Sequence, residues 1–400
     1  MINKDSQSNL TAGYEDFAHN VNRKNTDSKK WDNLIAYFGR DDVVPMSIAD
    51  MDFYVPRGVQ EVLRQRTEHG VFGYVHQGER FFQAIVDWQK RRHDWDIKPE
   101  WITSSPGVVA GQAVTLLALT EPGDEIIVQP PVYPPFYSTV ADNNRVLVEN
   151  PLKFENGQYE IDFEDLEQKI GPKTKMLLFC SPHNPTGRCW RQDELEKLAA
   201  IAVKHQLLVV TDEIFADLVL PGNKHTQLAS LHTKIADLTV TCNSPSKAFN
   251  IAGLSTSYTV ISNPELRARY RKQLAAIGID EVNSFGLVAL IEAYKAGDEW
   301  LDRVVGYLQQ NLEVMDQFIR DRIPQIKLIY PQATYMAWLD CREISEDQRV
   351  LHELFVNKAK IGTKGGASFG SGGAGFMRLN FAYHREVLLD ALKRLEEALK

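Results

Sequence analysis

Cysteine is scarce in this chain, and the four present, Cys180, Cys189, Cys242 and Cys341, show no CxxC spacing in 400 residues. That excludes a disulfide-stapled scaffold. Cys180 and Cys189 lie close together, but without a companion His/Cys cluster they do not read as a metal centre. No histidine pattern supplies one either: His69, His76 and His225 share no ligand spacing. No apolar run approaches the ~18 residues a membrane span needs. Residues 1–30 are polar, without the basic-then-apolar order of a secretory signal. No Lys/Arg run stands out among 45 basic and 53 acidic side chains, and the net charge is -8. That balance lacks the footprint of nucleic-acid or anionic-membrane binding. The expectation is a cytoplasmic protein that works on a small molecule.

With 44% hydrophobic and 10% aromatic residues, the chain can bury a large core. At ~150 residues per domain its length suggests two or three units. Residues 1–43 read as an extended arm, polar first and then bearing Trp31, Leu34, Ile35, Tyr37 and Phe38, of the kind that packs on a partner subunit. Helical spacing begins near Val59 and recurs over Phe81–Arg92, and Val108–Leu119 reads as an apolar helix. Ile102–Ser105 runs as a strand into a glycine turn at Gly107. Short apolar runs at Glu125–Gln129, Met176–Cys180, Leu207–Thr211 and Leu238–Cys242 are separated by helical stretches such as Arg191–His205. Runs buried on both faces and alternating with helices imply an α/β fold with a mostly parallel sheet. A helical pattern over Gly286–Arg322 leads toward a smaller α+β unit with strands near Ile326–Tyr330 and Thr334–Leu339, closed by a helix over Glu386–Lys400. The glycine-rich stretch 365–375 has a linker's composition. Its place before Met377-Arg-Leu-Asn-Phe-Ala382 favours an ordered loop at the active site.

In open α/β sheets ligands bind beyond the carboxyl ends of the strands, and the chemistry-bearing residues fall there. Lys247, in Ser244-Pro-Ser-Lys247-Ala-Phe-Asn-Ile-Ala-Gly253, sits among apolar neighbours that would desolvate its amine. Ser244 and Ser246 place two hydroxyls beside it, suited to a phosphate. Asp212 ends the hydrophobic run Leu207–Thr211, where a carboxylate needs either a cationic partner or a helix to cap. Asn184 lies in His183-Asn-Pro-Thr-Gly187, and His183 reads as structural. Amide, carboxylate and amine in this chain order fit pyridoxal phosphate: a donor to the ring hydroxyl, a partner for a protonated pyridine nitrogen and a Schiff-base lysine. Ser105-Pro-Gly107-Val-Val sets the amides of Val108 and Val109 at a helix N-terminus, favourable to phosphate. Tyr133, in Gln129-Pro-Pro-Val-Tyr-Pro-Pro135, could stack on a planar ring or simply pack. Arg378 could clamp a substrate carboxylate or form a surface ion pair.

These segments, with Ala49-Asp-Met-Asp-Phe53, Phe72-Gly-Tyr74 and Phe376-Met-Arg-Leu-Asn380, resemble the fold-type I pyridoxal phosphate enzymes over residues 30–398. The branch they resemble is the MalY/PatB-like cystathionine β-lyase (C–S lyase) group of the class I/II aminotransferase superfamily. The resemblance implies a three-layer α/β/α large domain over 61–295, with a mostly parallel, mixed sheet that binds the cofactor. It implies a small α+β domain formed by 44–60 and 296–400, and a homodimer with shared active sites. Lys247 would carry the cofactor and move the substrate's α-proton. Asp212 would pair with the ring nitrogen, Asn184 with the ring oxygen, and Tyr133 would stack. Val108, Val109, Ser244 and Ser246 would hold phosphate, with Tyr74 donated by the second subunit. Arg378 would bind the substrate α-carboxylate, assisted by the backbone at Ala49 and Asp50.

The implied reaction is elimination of a thiol from L-cystathionine, L-cysteine or an S-substituted cysteine, leaving pyruvate and ammonia. An aminotransferase would share every cofactor residue and differ in where the proton returns. MalY-like proteins also imply a regulator-binding role beside catalysis. Two positions depart from the aminotransferase pattern. Phe215 stands where a Tyr or His is common, and Ser255 where a phosphate-binding Arg is common. Ser47 replaces an aromatic frequent in the lyase branch.

Overall fold

Seven strands, all but the edge strand Val146–Glu149 largely buried, assemble the central sheet of the computed structural model, which describes Phe17 and residues 19–400. They are β1 (Ile102–Ser105), β2 (Glu125–Val128), β3 (Val146–Glu149), β4 (Thr174–Cys180), β5 (Leu208–Asp212), β6 (Thr239–Asn243) and β7 (Ser257–Val260). Their order across the sheet is β1-β7-β6-β5-β4-β2-β3. All neighbours are parallel except β7, which runs antiparallel to both β6 and β1. Helices cover the faces, so the strands carry Val, Ile and Leu on both sides rather than in alternation. β5 is buried from Val209 to Asp212.

The runs read from the sequence are strands within one or two residues of their expected ends. β3 and β7 are additions. β7 escaped because Ser257 and Thr259 break its apolar pattern, yet it is fully buried. Its hydroxyls are bonded, Ser257 Oγ lying 2.7 Å from Ser105 Oγ, so burial leaves no unpaired polar group there.

Helix α1 (Val108–Leu119) follows β1 and buries Val108, Val114, Leu116 and Leu119. Helix α2 (Gln192–His205) connects β4 to β5 and buries Leu195, Leu198 and Ala202 against the sheet. The single helical stretch expected over Gly286–Arg322 is two helices, α3 (Ser284–Ala296) and α4 (Asp298–Arg322), divided at Gly297. A side chain at Gly297 would strike the Phe249 ring. α4 buries Trp300, Leu301, Val304, Leu308, Leu312, Met315 and Ile319, a stripe at three- and four-residue spacing. Asn311 interrupts that stripe for a reason: its Nδ2 donates to the carbonyls of Phe381 at 3.2 Å and Tyr383 at 2.8 Å.

A second sheet lies antiparallel in the order β8-β9-β11-β10, formed by β8 (Lys327–Ile329), β9 (Met336–Asp340), β10 (Lys364–Gly365) and β11 (Phe376–Asn380). The final helix α5 (Arg385–Leu399) packs with α4, burying Leu388, Leu392 and Leu395. The glycine-rich stretch is folded: the carbonyl of Phe369 receives the Val132 amide at 2.8 Å and the Tyr137 hydroxyl at 3.0 Å.

The arm departs from expectation. Residues 1–16 and Ala18 lie outside the described residues, and the rest is not extended. Leu34–Phe38 is a short helix closed by Gly39 at φ 71°. Asp32 gathers the amides of Asn25, Thr26 and Ser28, and Arg23 and Lys30 ion-pair with Asp50. Among the described residues no helix is long and apolar enough to cross a membrane.

Candidate active site

Parallel register brings the carboxyl ends of β4, β5 and β6 level, with Asp212 opposite Cys180 on one side and Cys242 on the other. Asp212 is buried there. Gln112 Nε2 donates to its Oδ2 at 2.8 Å, and the Ile214 amide to its Oδ1 at 3.2 Å. Burial outweighs these bonds and pushes the Asp212 pKa up to about 6. Both expected readings are therefore partly present: the carboxylate caps a turn, and it still lacks a cationic hydrogen-bond partner. Glu213 reaches away to His225 Nε2 at 3.3 Å.

Lys247 lies in the turn after β6. Burial lowers its pKa to about 8, against the attraction of Asp50. Its Nζ donates to the Ala49 carbonyl at 2.7 Å. Three residues on, Asn250 adopts φ 57° and latches this turn to the Ala49–Phe53 segment. Its amide receives Met51 N at 2.9 Å and donates to the Met51 and Phe53 carbonyls at 2.8 Å each. Asn rather than a branched residue suits that left-handed conformation.

Arg378 projects from β11 and is buried. Nη1 donates to Asn184 Oδ1 at 3.0 Å and Nη2 to the Ser47 carbonyl at 2.6 Å, while Nε finds no partner. Its ring contact is Phe369, 5.0 Å from the guanidinium carbon. Burial lowers its pKa to about 10. No carboxylate among the described residues pairs with it, so the surface ion pair considered from sequence is overturned. A buried guanidinium without a counter-ion is a site for an anionic ligand.

Tyr133, Ser47, Ala49, Lys247 and Arg378 line one cavity of about 610 Å³. A second cavity of about 510 Å³, at His93 and His225, holds none of them. Ser244 and Ser246 lie 2.6 Å apart through their hydroxyls, and Ser244 Oγ donates to the Thr256 carbonyl at 2.7 Å. Val108 and Val109 open α1, where helix geometry leaves their amides without internal acceptors. Asn184 has its oxygen committed to Arg378, which leaves Nδ2 to donate. His183 is structural: its Nδ1 is 2.9 Å from Thr186 Oγ1, and burial drops its pKa to about 3.

Tyr74 is not brought in; its ring is 96% exposed. Asp50 is held by Arg23 and Lys30, and its carbonyl takes Asn380 Nδ2 at 2.7 Å. The Ala49 carbonyl takes Lys247 and Tyr335. The Asp50 amide bonds Ile48 O at 3.1 Å, so assistance to a ligand there is confined to the Ala49 amide.

Two residues went unseen in the sequence. Gln112 is a polar amide in an otherwise apolar helix, and that mismatch was its signal. Tyr335 packs edge-on against Phe215, ring centroids 5.6 Å apart, and its hydroxyl donates to Ala49 O at 3.0 Å. It supplies a hydroxyl in the neighbourhood where Phe215 has none.

The donor set fits pyridoxal phosphate. A buried carboxylate lacking a cationic partner suits a protonated ring nitrogen, a depressed lysine pKa suits a nucleophilic amine, and hydroxyls with helix-terminal amides suit phosphate.

The chain belongs to the aminotransferase class I and II family, whose model matches residues 41–395. Within it, the chain is 42% identical to cystathionine beta-lyase PatB of Bacillus subtilis (strain 168), over 94% of this chain and 98% of that protein. It is 32% identical to protein MalY of Escherichia coli (strain K12), over 96% and 99%. Among solved structures, cystalysin from Treponema denticola, which contains a pyridoxal 5'-phosphate cofactor, superposes with a TM-score of 0.93 at 37% identity, covering 96% of this chain and 98% of that one.

Proposed function

We propose that this protein is a pyridoxal phosphate-dependent carbon–sulfur β-lyase whose leading substrate is L-cystathionine, with L-cysteine and other S-substituted cysteines close behind. The observation that carries the reading is Arg378, a buried cation without a counter-ion, facing the same cavity as Lys247. Similarity to PatB and cystalysin supports the lyase chemistry. When bound, the cofactor supplies a sink for the electron pair released at the substrate's Cα.

The chain's own groups do the rest. Arg378 binds the α-carboxylate and fixes which bond at Cα faces Lys247. Lys247 Nζ, its pKa near the working pH, takes the proton from Cα. Asp212 holds a proton on the ring nitrogen, Gln112 keeps that carboxylate aimed, and Asn184 Nδ2 donates to the ring oxygen. Tyr133 would stack on the ring, and Val108, Val109, Ser244 and Ser246 would hold its phosphate. The Cβ–S bond then breaks with its electron pair leaving on sulfur, and one water is consumed in giving thiol, pyruvate and ammonia. Homocysteine release from cystathionine would belong to methionine biosynthesis.

The assembly belongs to the same proposal: a cytoplasmic homodimer in which the exposed Tyr74 completes the partner's phosphate site. So does the division into an arm to residue 43, a large domain over 61–295 and a small domain from 44–60 and 296–400, supported by the separation of the seven-stranded sheet from the four-stranded one.

The test is L-cystathionine with cofactor-loaded protein and no keto acid, following pyruvate and free thiol together. Equal, sustained release is expected, and Lys247→Ala should abolish it. Glutamate from 2-oxoglutarate and an amino-acid panel, with neither pyruvate nor thiol, would instead identify an aminotransferase.

A further inference from the structure

The cavity that receives the substrate is one-sided in charge. Lys29, His352, Lys364 and Arg378 line it together with Lys247, and among its described lining residues there is no carboxylate. Arg378 and Lys247 are accounted for by the proposed reaction. Lys364 is not.

Its position is set by register. Lys364 on β10 is the direct antiparallel partner of Arg378 on β11. Residues opposite one another in such a pair project to the same face, and like charges placed there repel. Partial desolvation and the Arg378 charge both lower the Lys364 pKa. No carboxylate among the described residues ion-pairs with Lys364 to offset this. A second anion beside the one Arg378 takes would relieve the repulsion. The substrate α-carboxylate occupies only one of the two cations.

We propose that Lys364 selects the leaving group, attracting a carboxylate at the far end of the departing thiol, so that the preferred substrates are cysteine S-conjugates with an anionic tail. This rests on the lyase reading above and adds the substrate class. Ser47, small and lining the same cavity, leaves room for such a tail. Because Lys364 stands at the exposed rim, the pair is partly screened, and the preference is on the order of fivefold.

Two conjugates of nearly equal shape isolate the charge: S-(2-carboxyethyl)-L-cysteine and its amide, S-(2-carbamoylethyl)-L-cysteine. The wild-type holoenzyme should release pyruvate from the acid with about fivefold higher kcat/KM than from the amide, the difference residing in KM, since the tail is remote from the breaking bond. Lys364→Ala and Lys364→Gln should each bring the acid-to-amide ratio close to one. Lys364→Arg should keep it. The ratio is internal to each variant, so a partly folded preparation does not mimic the effect. An unchanged ratio in both neutral variants overturns the inference while the lyase reading stands. No pyruvate from either conjugate in the wild type overturns the inference, and no pyruvate or thiol from L-cystathionine overturns the lyase reading with it.

Discussion

Replacing Lys247 with methionine should make the cofactor-free protein more stable, because burying the protonated amine is a cost that folding bears. Its pKa falls from the ordinary 10.5 to about 8. At ~1.4 kcal/mol for each tenfold change in proton affinity, that cost is about 3 kcal/mol. Lys247 borders the cavity, so water there reduces the figure to about 2 kcal/mol. Methionine keeps the length of the stem and leaves no cavity. The lost hydrogen bond orphans nothing, since the Ala49 carbonyl still receives the Tyr335 hydroxyl. Asp212 loses a favourable charge, so its pKa climbs from about 6 and it takes up a proton, which limits that cost.

The sign follows from proton counting. Between pH 8 and 10.5 the unfolded chain holds a proton on Lys247 that the folded chain has released, so wild-type stability rises with pH through that window. Below pH 8 both states are protonated and the full cost remains. The gain from Lys247→Met is therefore about 2 kcal/mol at pH 7 and vanishes by pH 10.5. Urea unfolding of the apoprotein at pH 7 and pH 10 measures it. No gain at pH 7, or one that grows with pH, refutes the reasoning.

Asp212→Asn should lower kcat/KM for β-elimination by about 10²-fold or more, as a neutral amide cannot hold the ring nitrogen protonated; turnover within tenfold of wild type would remove Asp212 from the mechanism. Arg378→Lys keeps the charge but loses the planar fork, and steady-state kinetics should show kcat/KM down about 10²-fold. Gly187→Ala should cost several kcal/mol in thermal or urea unfolding, because Gly187 has φ 72° and an added Cβ would lie 2.9 Å from Pro331 Cα.

Much of the site was legible because its groups sit in short local patterns. The lysine between two serines, the carboxylate ending an apolar run and the amide before a Pro-Thr-Gly turn each carry chemistry in a few consecutive residues. Continuous apolar runs were equally visible, as α1 and β5 show. What lacked a local pattern was not. β7 hides because its serine and threonine are satisfied across the sheet by Ser105 and Thr103. The break at Gly297 hides because glycine is tolerated within helices, and only the Phe249 ring makes it necessary.

Sequence alone was enough to determine the alternation of helices and buried strands, and with it the sheet whose carboxyl ends hold Asp212, Asn184 and Lys247. Tertiary structure decided which distant groups share one cavity. Arg378 meets Asn184 across 194 residues, Lys247 meets Ala49 across 198, and Gln112 meets Asp212 across 100. The same packing deprives Arg378 of a counter-ion and sets the proton affinities of Lys247 and Asp212, since desolvation depends on everything that surrounds a group and not on its neighbours in the chain.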